Sequence, residues 1–303
     1  PCMSVHVDCL KFQEYVMDYH KSNPRLKFVN EEVSNDSIDA DYILDCSGRP
    51  AEYDEFNISK FIPVNSTYVI QCWWDAPTFD YTLTIARPHG WVFGIPLQNR
   101  CSMGYLYNKD VSTIEEVKED LLKVIQEYGF TPSDDTISFN FRNYYRKQNF
   151  DGRVVYNGNA SFFLEPMEAT SIGMMDKVQR WAYDYWFNDK SAEYSQSEYD
   201  RNIRNVEHFL GMHYVSGSIH ESPFWDFAKI QAEGCMKRAV TDKEFMKFYE
   251  NSKKYVNAHD GFIPPEYDEF SFWWMGSFSQ ILSNLDTYPI IERIRDMTIV
   301  PVD

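Results

Sequence analysis

Glycine is scarce in this sequence, and one glycine pattern is missing altogether. The 303 residues include only 13 glycines and no GxGxxG segment, so the sequence lacks the fingerprint that places a dinucleotide pyrophosphate at a helix N-terminus. The six cysteines form no CxxC pair, which favours reduced thiols over a disulfide framework and indicates a cytoplasmic protein. The seven histidines show no HExxH spacing, so we expect no metal site.

Long apolar runs and excess positive charge are also missing. No run approaches the roughly 20 apolar residues that cross a bilayer, and no signal-peptide pattern precedes the first predicted helix. The formal net charge is −17, which argues against binding to nucleic acid or to an anionic membrane surface, because phosphates must be neutralised by Lys and Arg. With 44% hydrophobic and 17% aromatic residues, the chain can fill a sizeable core as one large domain or two smaller ones.

The first half of the chain carries the strand signals. YILDC at 42–46 predicts a buried strand that ends at Ser47 and Gly48. Four β-rich runs follow and are separated by Pro, Gly and Asn, as expected for an antiparallel sheet. The runs are STYVIQCWW, YTLTIA, WVFGIPL and MGYLY.

Helical signals frame these strands and dominate the second half. A short helix is predicted at 10–20, and apolar residues three and four apart predict an amphipathic helix at 112–128 with Gly129 as its stop. Beyond residue 173 helices take over. We predict an α/β (α+β) fold with a boundary in the polar stretch 188–198, which is interpreted as a loop.

The stretch FFLEPMEATSIG, residues 162–173, places two glutamates just before a predicted helix at about 172–187. Thr170 and Ser171 stand where caps of that helix are expected, and its free N–H groups attract an anion. Glu168 could itself be that anion, in which case the stretch is a structural cap. On these local features alone, the cap is favoured over a catalytic site.

Several segments together resemble the flavin-dependent halogenases of the tryptophan-halogenase type. GWVFGIP (90–96) is similar to that family's GWxWxIP strand, MGYLY to its following GYxY strand, and FFLEPMEATSI to its FxEPLEST-like turn. HYVSGSIHESPFW (213–225) is similar to a later HY…SPFW segment. The resemblance runs from about residue 4 to about residue 230.

This resemblance implies a chemistry and a division of the chain. In the family, reduced FAD from a separate flavin reductase, oxygen and chloride or bromide give hypohalous acid, which passes through a tunnel to an electron-rich aromatic substrate. Residues 1–187 would then be the remainder of a flavin-monooxygenase-like FAD-binding fold with a mixed or antiparallel sheet. Residues 188–303 would be a mainly helical, substrate-side module, and whether the protein forms a homodimer stays open.

The resemblance also implies roles for individual residues. Glu168 corresponds to the functional glutamate at the substrate end, and Glu165 to a structural or flavin-side residue. The other implied roles are halide binding for Thr170 and Ser171, flavin contacts for Trp91, Ile95, Pro96 and Gly158, tunnel walls for Trp91, Phe93 and Pro96, and substrate walls for Trp273 and Trp274. All these aromatic positions could equally be core residues, because packing a core and stacking a substrate need the same side chains.

The sequence departs from the family pattern at several points. Phe93 stands where the strand motif has its second tryptophan, Ala169 stands where a serine often follows the functional glutamate, and no residue can be assigned to the family's catalytic lysine. We therefore expect this chain to be the C-terminal portion of a longer halogenase and to be inactive alone. Two alternatives remain: a flavin-dependent aromatic hydroxylase, since RVVYNGNASFFLEP (153–166) is also similar to that group, and a non-catalytic acidic binding module.

Overall fold

The computed structural model describes residues 5–257 and 269–299. Its strands are β1 (Ile43–Asp45), β2 (Phe56–Ile58), β3 (Ser66–Trp73), β4 (Leu83–Arg87), β5 (Gly90–Pro96), β6 (Arg100–Tyr107), β7 (Thr131–Asn140), β8 (Tyr144–Arg146), β9 (Phe150–Asp151), β10 (Val154–Tyr156) and β11 (Phe162–Phe163). Its helices are α1 (Cys9–His20), α2 (Ile114–Glu127), α3 (Thr170–Phe187), α4 (Ala192–Val215), α5 (Pro223–Ala239), α6 (Lys243–Asn257), α7 (Met275–Asn284) and α8 (Tyr288–Ile299).

A five-stranded antiparallel sheet in the order β4-β5-β6-β3-β7 forms the centre of the first half. The four β-rich runs of the sequence are its strands β3 to β6, so that prediction is confirmed. Strand β7 was not predicted, because its sequence TPSDDTISFN is polar and exposed over most of its length. Its strand conformation comes from pairing with β3 rather than from a local apolar pattern.

The two faces of this sheet pack against different helices. On one face, Val92 and Tyr105 join a core that includes Val117 and Leu121 of α2. On the other face, Trp91 belongs to the main hydrophobic core, which the later helices complete. Because successive side chains of a strand point to opposite faces, β5 contributes to both cores.

A smaller sheet brings together two loops that precede the helical half. Strands β1 and β10 are parallel, so their carboxyl ends lie at the same edge. There the backbone N–H of Asn157 donates to the carbonyl of Asp45 at 2.7 Å, and the Asn157 side-chain amide donates to the carbonyl of Met175 in α3 at 3.1 Å. The loop 157–160, the end of β1 and the first turns of α3 are therefore held together.

The helical half is as predicted in kind but differs at its start. Helix α4 already begins at Ala192, capped by the Ser191 side chain, so only residues 188–191 form the loop after α3. The interpretation of 188–198 as a loop was therefore wrong from residue 192 onward, because a polar surface on a helix resembles a loop in composition. The mixed α and β architecture confirms the predicted fold class, whereas the division at 187/188 stays a prediction.

Three features bear on the class of protein. Among residues 5–257 and 269–299, no helix is long and apolar enough to cross a membrane. Within the same ranges, no group of three or more His, Cys, Asp or Glu side chains could hold a metal ion. Cys9 and Cys46 are exposed free thiols, Cys72, Cys101 and Cys235 are buried free thiols, and Cys2 lies outside the described residues.

Candidate functional site

The turn between β11 and α3 positions both glutamates of the EPMEATS stretch. The backbone N–H of Ala169 donates to the carbonyl of Pro166 at 2.9 Å. Ala169 then takes a left-handed conformation, with φ of 51°, directly before the helix. A left-handed non-glycine residue is uncommon and carries strain, which proteins often tolerate at functional turns.

The helix after this turn begins earlier than expected. Thr170 is already the first residue of α3, and Ala169 occupies the N-cap position without a side-chain hydrogen bond. Thr170 and Ser171 are thus the first two helical residues rather than capping side chains, and the prediction of caps was wrong. The first backbone N–H groups of a helix have no intrahelical acceptor, so those of Thr170 and Ser171 remain available to an anion.

Glu168 is held by two hydrogen-bond donors from distant parts of the chain. Its Oε1 lies 2.8 Å from Nε2 of His213 in α4. Its Oε2 accepts a hydrogen bond from the indole Nε1 of Trp273 at 3.1 Å. The Glu168 side chain nevertheless stays 25% exposed, so the carboxylate is fixed in position but still open on one side.

The two donors are fixed in turn by one aromatic residue. The Phe209 and Trp273 rings stack with centroids 3.8 Å apart and an 8° angle between their planes. The carbonyl of Phe209 lies 3.1 Å from Nδ1 of His213. Phe209 itself is fully buried, and this part of α4 therefore forms a rigid support for the Glu168 carboxylate.

Glu165 has a different environment although it is only three residues away. It is fully buried and accepts a hydrogen bond from the Tyr214 hydroxyl at 2.7 Å. Burial raises the pKa of Glu165 to about 7, because the ionised carboxylate loses its hydration, and the Tyr214 hydrogen bond offsets only part of that rise. Its Oε1 has no hydrogen-bond partner among the described residues.

Trp91 lies behind this carboxyl–phenol pair. It is 2% exposed, and its indole N–H is close enough to lower the pKa of both Glu165 and Tyr214. The N–H group nevertheless falls short of hydrogen-bond geometry with any described residue. Of the other predicted residues on β5, Pro96 is buried, whereas Phe93 and Ile95 are partly exposed.

The segment 213–225 fixes the β4–β5 hairpin from the helical side. His220 Nε2 lies 3.0 Å from the carbonyl of Ala86, and the Trp225 indole donates to the carbonyl of Arg87 at 2.8 Å. Ser222 caps α5 and donates to the carbonyl of Pro88. These contacts hold the hairpin against the helices, whereas His213 contacts Glu168 instead.

The loop after β10 has a backbone suited to a bound cofactor. Gly158 has φ of 56°, and a side chain there would meet only the Met175 methyl group at 3.7 Å. The loop therefore presents an open left-handed glycine beside Met175 in the first turns of α3. These features fit one side of a flavin site, while the phosphate-binding glycines of such a site have no counterpart in this sequence.

The two predicted substrate-wall tryptophans have different positions. Trp273 is 6% exposed and donates to Glu168, whereas Trp274 is 51% exposed and precedes α7. Sequence reasoning missed the pairing of His213 and Trp273 with Glu168. The adjacent His213–Tyr214 pair was the available signal, because consecutive residues near the end of one helix can contact two glutamates three residues apart.

A family model and several known proteins match this chain. The model for tryptophan halogenase matches residues 18–283. The tryptophan 6-halogenase SttH of Streptomyces toxytricini is 27% identical over 157 residues, which cover 50% of this chain and 29% of that protein. The tryptophan 6-halogenase ThaL of Streptomyces albogriseolus is 26% identical over 221 residues, which cover 69% of this chain and 40% of that protein.

Solved structures show the same fold at lower identity. The crystal structure of SttH superposes with a TM-score of 0.67 at 19% identity, covering 97% of this chain and 64% of that one. A tryptophan halogenase from Shewanella frigidimarina gives a TM-score of 0.69 at 14% identity, covering 96% and 62%. The chain thus matches less than half the length of these two curated relatives.

Proposed function

The chain belongs to the tryptophan halogenase family, and from this premise we propose that the whole protein is an FAD-dependent halogenase of electron-rich aromatic rings. The position of Glu168 carries the proposal: a fixed, partly open carboxylate stands beside a helix N-terminus with free N–H groups. A hydroxylase would have less need of an anion site next to this carboxylate. The match to the family model also favours a halogenase over an aromatic hydroxylase or a non-catalytic binding module.

Glu168 is proposed to act on the aromatic substrate. A carboxylate held in place by two hydrogen bonds stabilises positive charge that develops on a ring when halogen adds to it. Glu168 can then take the proton from the halogenated carbon: the C–H bond breaks, its electron pair restores the aromatic ring, and an O–H bond forms. Its 25% exposed side chain lets that proton leave to solvent afterwards.

The first residues of α3 are proposed to bind the halide. The N–H groups of Thr170 and Ser171 are free, and the helix dipole adds to their attraction for chloride or bromide. Ala169 turns the chain into this helix through its left-handed backbone. The halide and the Glu168 carboxylate would then lie on either side of the turn at Ala169.

Other residues are proposed to hold the flavin and shape the tunnel. Reduced FAD, supplied by a separate flavin reductase, provides the electrons with which oxygen and halide give hypohalous acid and water. Gly158 would contact the flavin, together with Ile95 and Pro96 of β5.

Trp91 and Phe93 would keep water and the aromatic substrate apart from the flavin, since Trp91 is buried and Phe93 packs beside it with ring centroids 6.1 Å apart. Trp274 is proposed as a wall of the substrate pocket because it is exposed.

The test is a halogenation assay of the whole protein. We would supply FAD, a flavin reductase, oxygen and bromide or chloride, and offer a panel of indoles and phenols. We expect halogenated product, and a loss on the order of 100-fold or more in Glu168→Gln, because the amide carries no charge to stabilise the cationic ring. The control Glu221→Gln changes an exposed glutamate and should keep its activity.

Two results would contradict the proposal. Hydroxylated product in the presence of halide would point to an aromatic hydroxylase. Full product yield from Glu168→Gln would remove Glu168 from the reaction.

A further inference from the structure

We propose that His213 is the positioning residue of Glu168 and that it carries protons on both ring nitrogens, so that the two side chains form an imidazolium–carboxylate pair. The inference rests on the proposed function, since it explains how the acting carboxylate is oriented. It assigns a role to a histidine that the sequence presents only as part of a family-like motif at 213–225.

Both ring nitrogens of His213 face hydrogen-bond acceptors. Nε2 faces a Glu168 oxygen at 2.8 Å, and Nδ1 faces the Phe209 carbonyl at 3.1 Å. A carboxylate and a carbonyl can only accept hydrogen bonds, whereas a neutral imidazole has one donor and one acceptor nitrogen. When Glu168 is ionised, both contacts can therefore be hydrogen bonds only if both ring nitrogens of His213 carry a proton.

The second donor makes an ionised Glu168 the better partner. Trp273 donates its indole N–H to the other carboxylate oxygen at 3.1 Å, and an indole nitrogen cannot accept. If Glu168 held the shared proton on Oε1, His213 Nε2 would be its acceptor and one charge-assisted hydrogen bond would be lost. Two hydrogen bonds to one carboxylate, one of them from a cation, favour the ionised form.

The surroundings of the pair fix its geometry. His213 is 12% exposed on its side chain, and Phe209 is fully buried while its ring stacks on Trp273. Phe209 thus supports both donors: its carbonyl orients the His213 ring, and its own ring orients the indole. Second partners of this kind are known to set the tautomer and direction of a functional histidine.

The neighbouring carboxyl group provides a natural contrast. Glu165 contacts Tyr214, the residue after His213, and burial without a cationic hydrogen-bond partner favours its protonated form. The consecutive residues His213 and Tyr214 of α4 would therefore hold Glu168 ionised and Glu165 protonated. Only the ionised one can stabilise a cationic ring or take its proton.

Nitrogen NMR of the whole protein tests the protonation state without any enzymatic turnover. In protein labelled with ¹⁵N-histidine at pH 7, with the His213 signals assigned by their loss in His213→Gln, we expect the pattern of an imidazolium in which both nitrogens carry protons. In Glu168→Gln the pattern should change to that of a neutral ring. The matched control Glu165→Gln should keep the imidazolium pattern.

Halogenation kinetics then test the positioning role. His213→Phe removes the donor and should lower kcat on the order of 10- to 100-fold with little change in the KM of the aromatic substrate, because the carboxylate is no longer held in place. His213→Gln keeps a neutral donor and should recover part of that loss. If His213 only packed the core, Phe would be tolerated better than Gln.

Several outcomes would overturn the inference. A neutral His213 in the unmodified protein would do so, as would an imidazolium pattern that survives Glu168→Gln. Each of these can be observed even if halogenation is never detected. Conversely, full activity in Glu168→Gln would contradict the proposed function of that glutamate, but the NMR spectra would still report the protonation state of His213.

Discussion

At the scale of single residues, the two glutamates of the EPMEATS turn show how position decides chemistry. Glu168 has an exposed edge and two donors, while Glu165 is fully buried with one donor and one unpartnered oxygen. The sequence offers the same side chain at both places. Burial alone favours the neutral carboxylic acid, because an ionised group must give up its hydration.

The buried Glu165 should make the stability of the protein depend on pH. Its pKa is raised to about 7 in the folded state, above the ordinary value of a free glutamate, so the folded state binds more protons than the unfolded state between about pH 4.5 and pH 7. Its contribution to the free energy of unfolding should therefore fall as pH rises through this window. The total loss should be about 3 kcal/mol, nearly complete by pH 8.

Glu165→Gln isolates this effect, since glutamine resembles the protonated acid and still accepts from Tyr214. His208 acts in the opposite direction, because burial lowers its pKa to about 3 and the unfolded chain then takes up the extra proton in acid. The quantity to measure by urea unfolding is therefore the difference between Glu165→Gln and the unmodified protein at pH 5 and pH 8. A difference that stays constant between these pH values would contradict the prediction.

At the scale of elements, the register of β5 and β6 fixes the position of the Phe93 ring. Phe93 pairs with Gly104 across the two strands, and a Cβ atom at Gly104 would lie 2.1 Å from the Phe93 ring. The ring therefore lies directly over the glycine backbone. The missing side chain at Gly104 thus defines where the Phe93 ring can lie.

Gly104→Ala should push the Phe93 ring out of its place. We expect a loss of roughly 1–3 kcal/mol in the free energy of unfolding, as for other overpacked sites. The loss should be smaller when Phe93→Ala is already present, because the clashing ring is then gone, so the two changes should not be additive. Urea unfolding of the two single variants and the double variant measures this coupling.

Gly234→Ala provides the control for this comparison. Gly234 is exposed within α5, and a Cβ atom there would make only an ordinary contact of 3.7 Å with Phe61. Alanine at that position should stabilise the protein by roughly 0.5–1 kcal/mol through helix propensity. If the losses of free energy of unfolding for Gly104→Ala and Phe93→Ala simply add in the double variant, the position of the Phe93 ring does not depend on Gly104.

At the scale of the whole molecule, one hydrophobic core connects the sheet to the helices. It includes Trp91 of β5, Tyr199 of α4 and Phe278 of α7. A buried polar contact adds to this connection: Glu207 of α4 accepts from Ser59 after β2 and pairs with Arg238 of α5 at 2.7 Å. The site depends on this shared core, because the two side chains that contact Glu168 come from different segments: His213 from α4 and Trp273 from the segment before α7.

The shared core predicts a single unfolding transition. Far-ultraviolet circular dichroism reports mainly on the helices and tryptophan fluorescence on both halves, so their urea curves should coincide if the chain unfolds as one unit. Two separate transitions would instead support independent units at 1–187 and 188–303. Proteins of this size can unfold through intermediates, and coincidence of the two curves is therefore an informative result.

The sequence by itself determined the elements with strong local patterns and indicated the family. Strands β3 to β6 and the amphipathic helix α2 have clear apolar periodicity, and Gly129, with φ of 70°, follows the end of α2 as predicted. The order of short motifs indicated the family, and the family model that matches residues 18–283 agrees with it. These signals are local, so they can be read along the chain.

Only the tertiary structure decided which residues complete the site. His213 and Trp273 lie 45 and 105 positions after Glu168, and no local pattern links three residues that far apart. Strand β7 likewise exists because β3 pairs with it, and α3 begins at Thr170 because Ala169 accepts a left-handed backbone that its side chain does not favour. For the site and for β7, the free energy comes from contacts between segments that are far apart in the sequence.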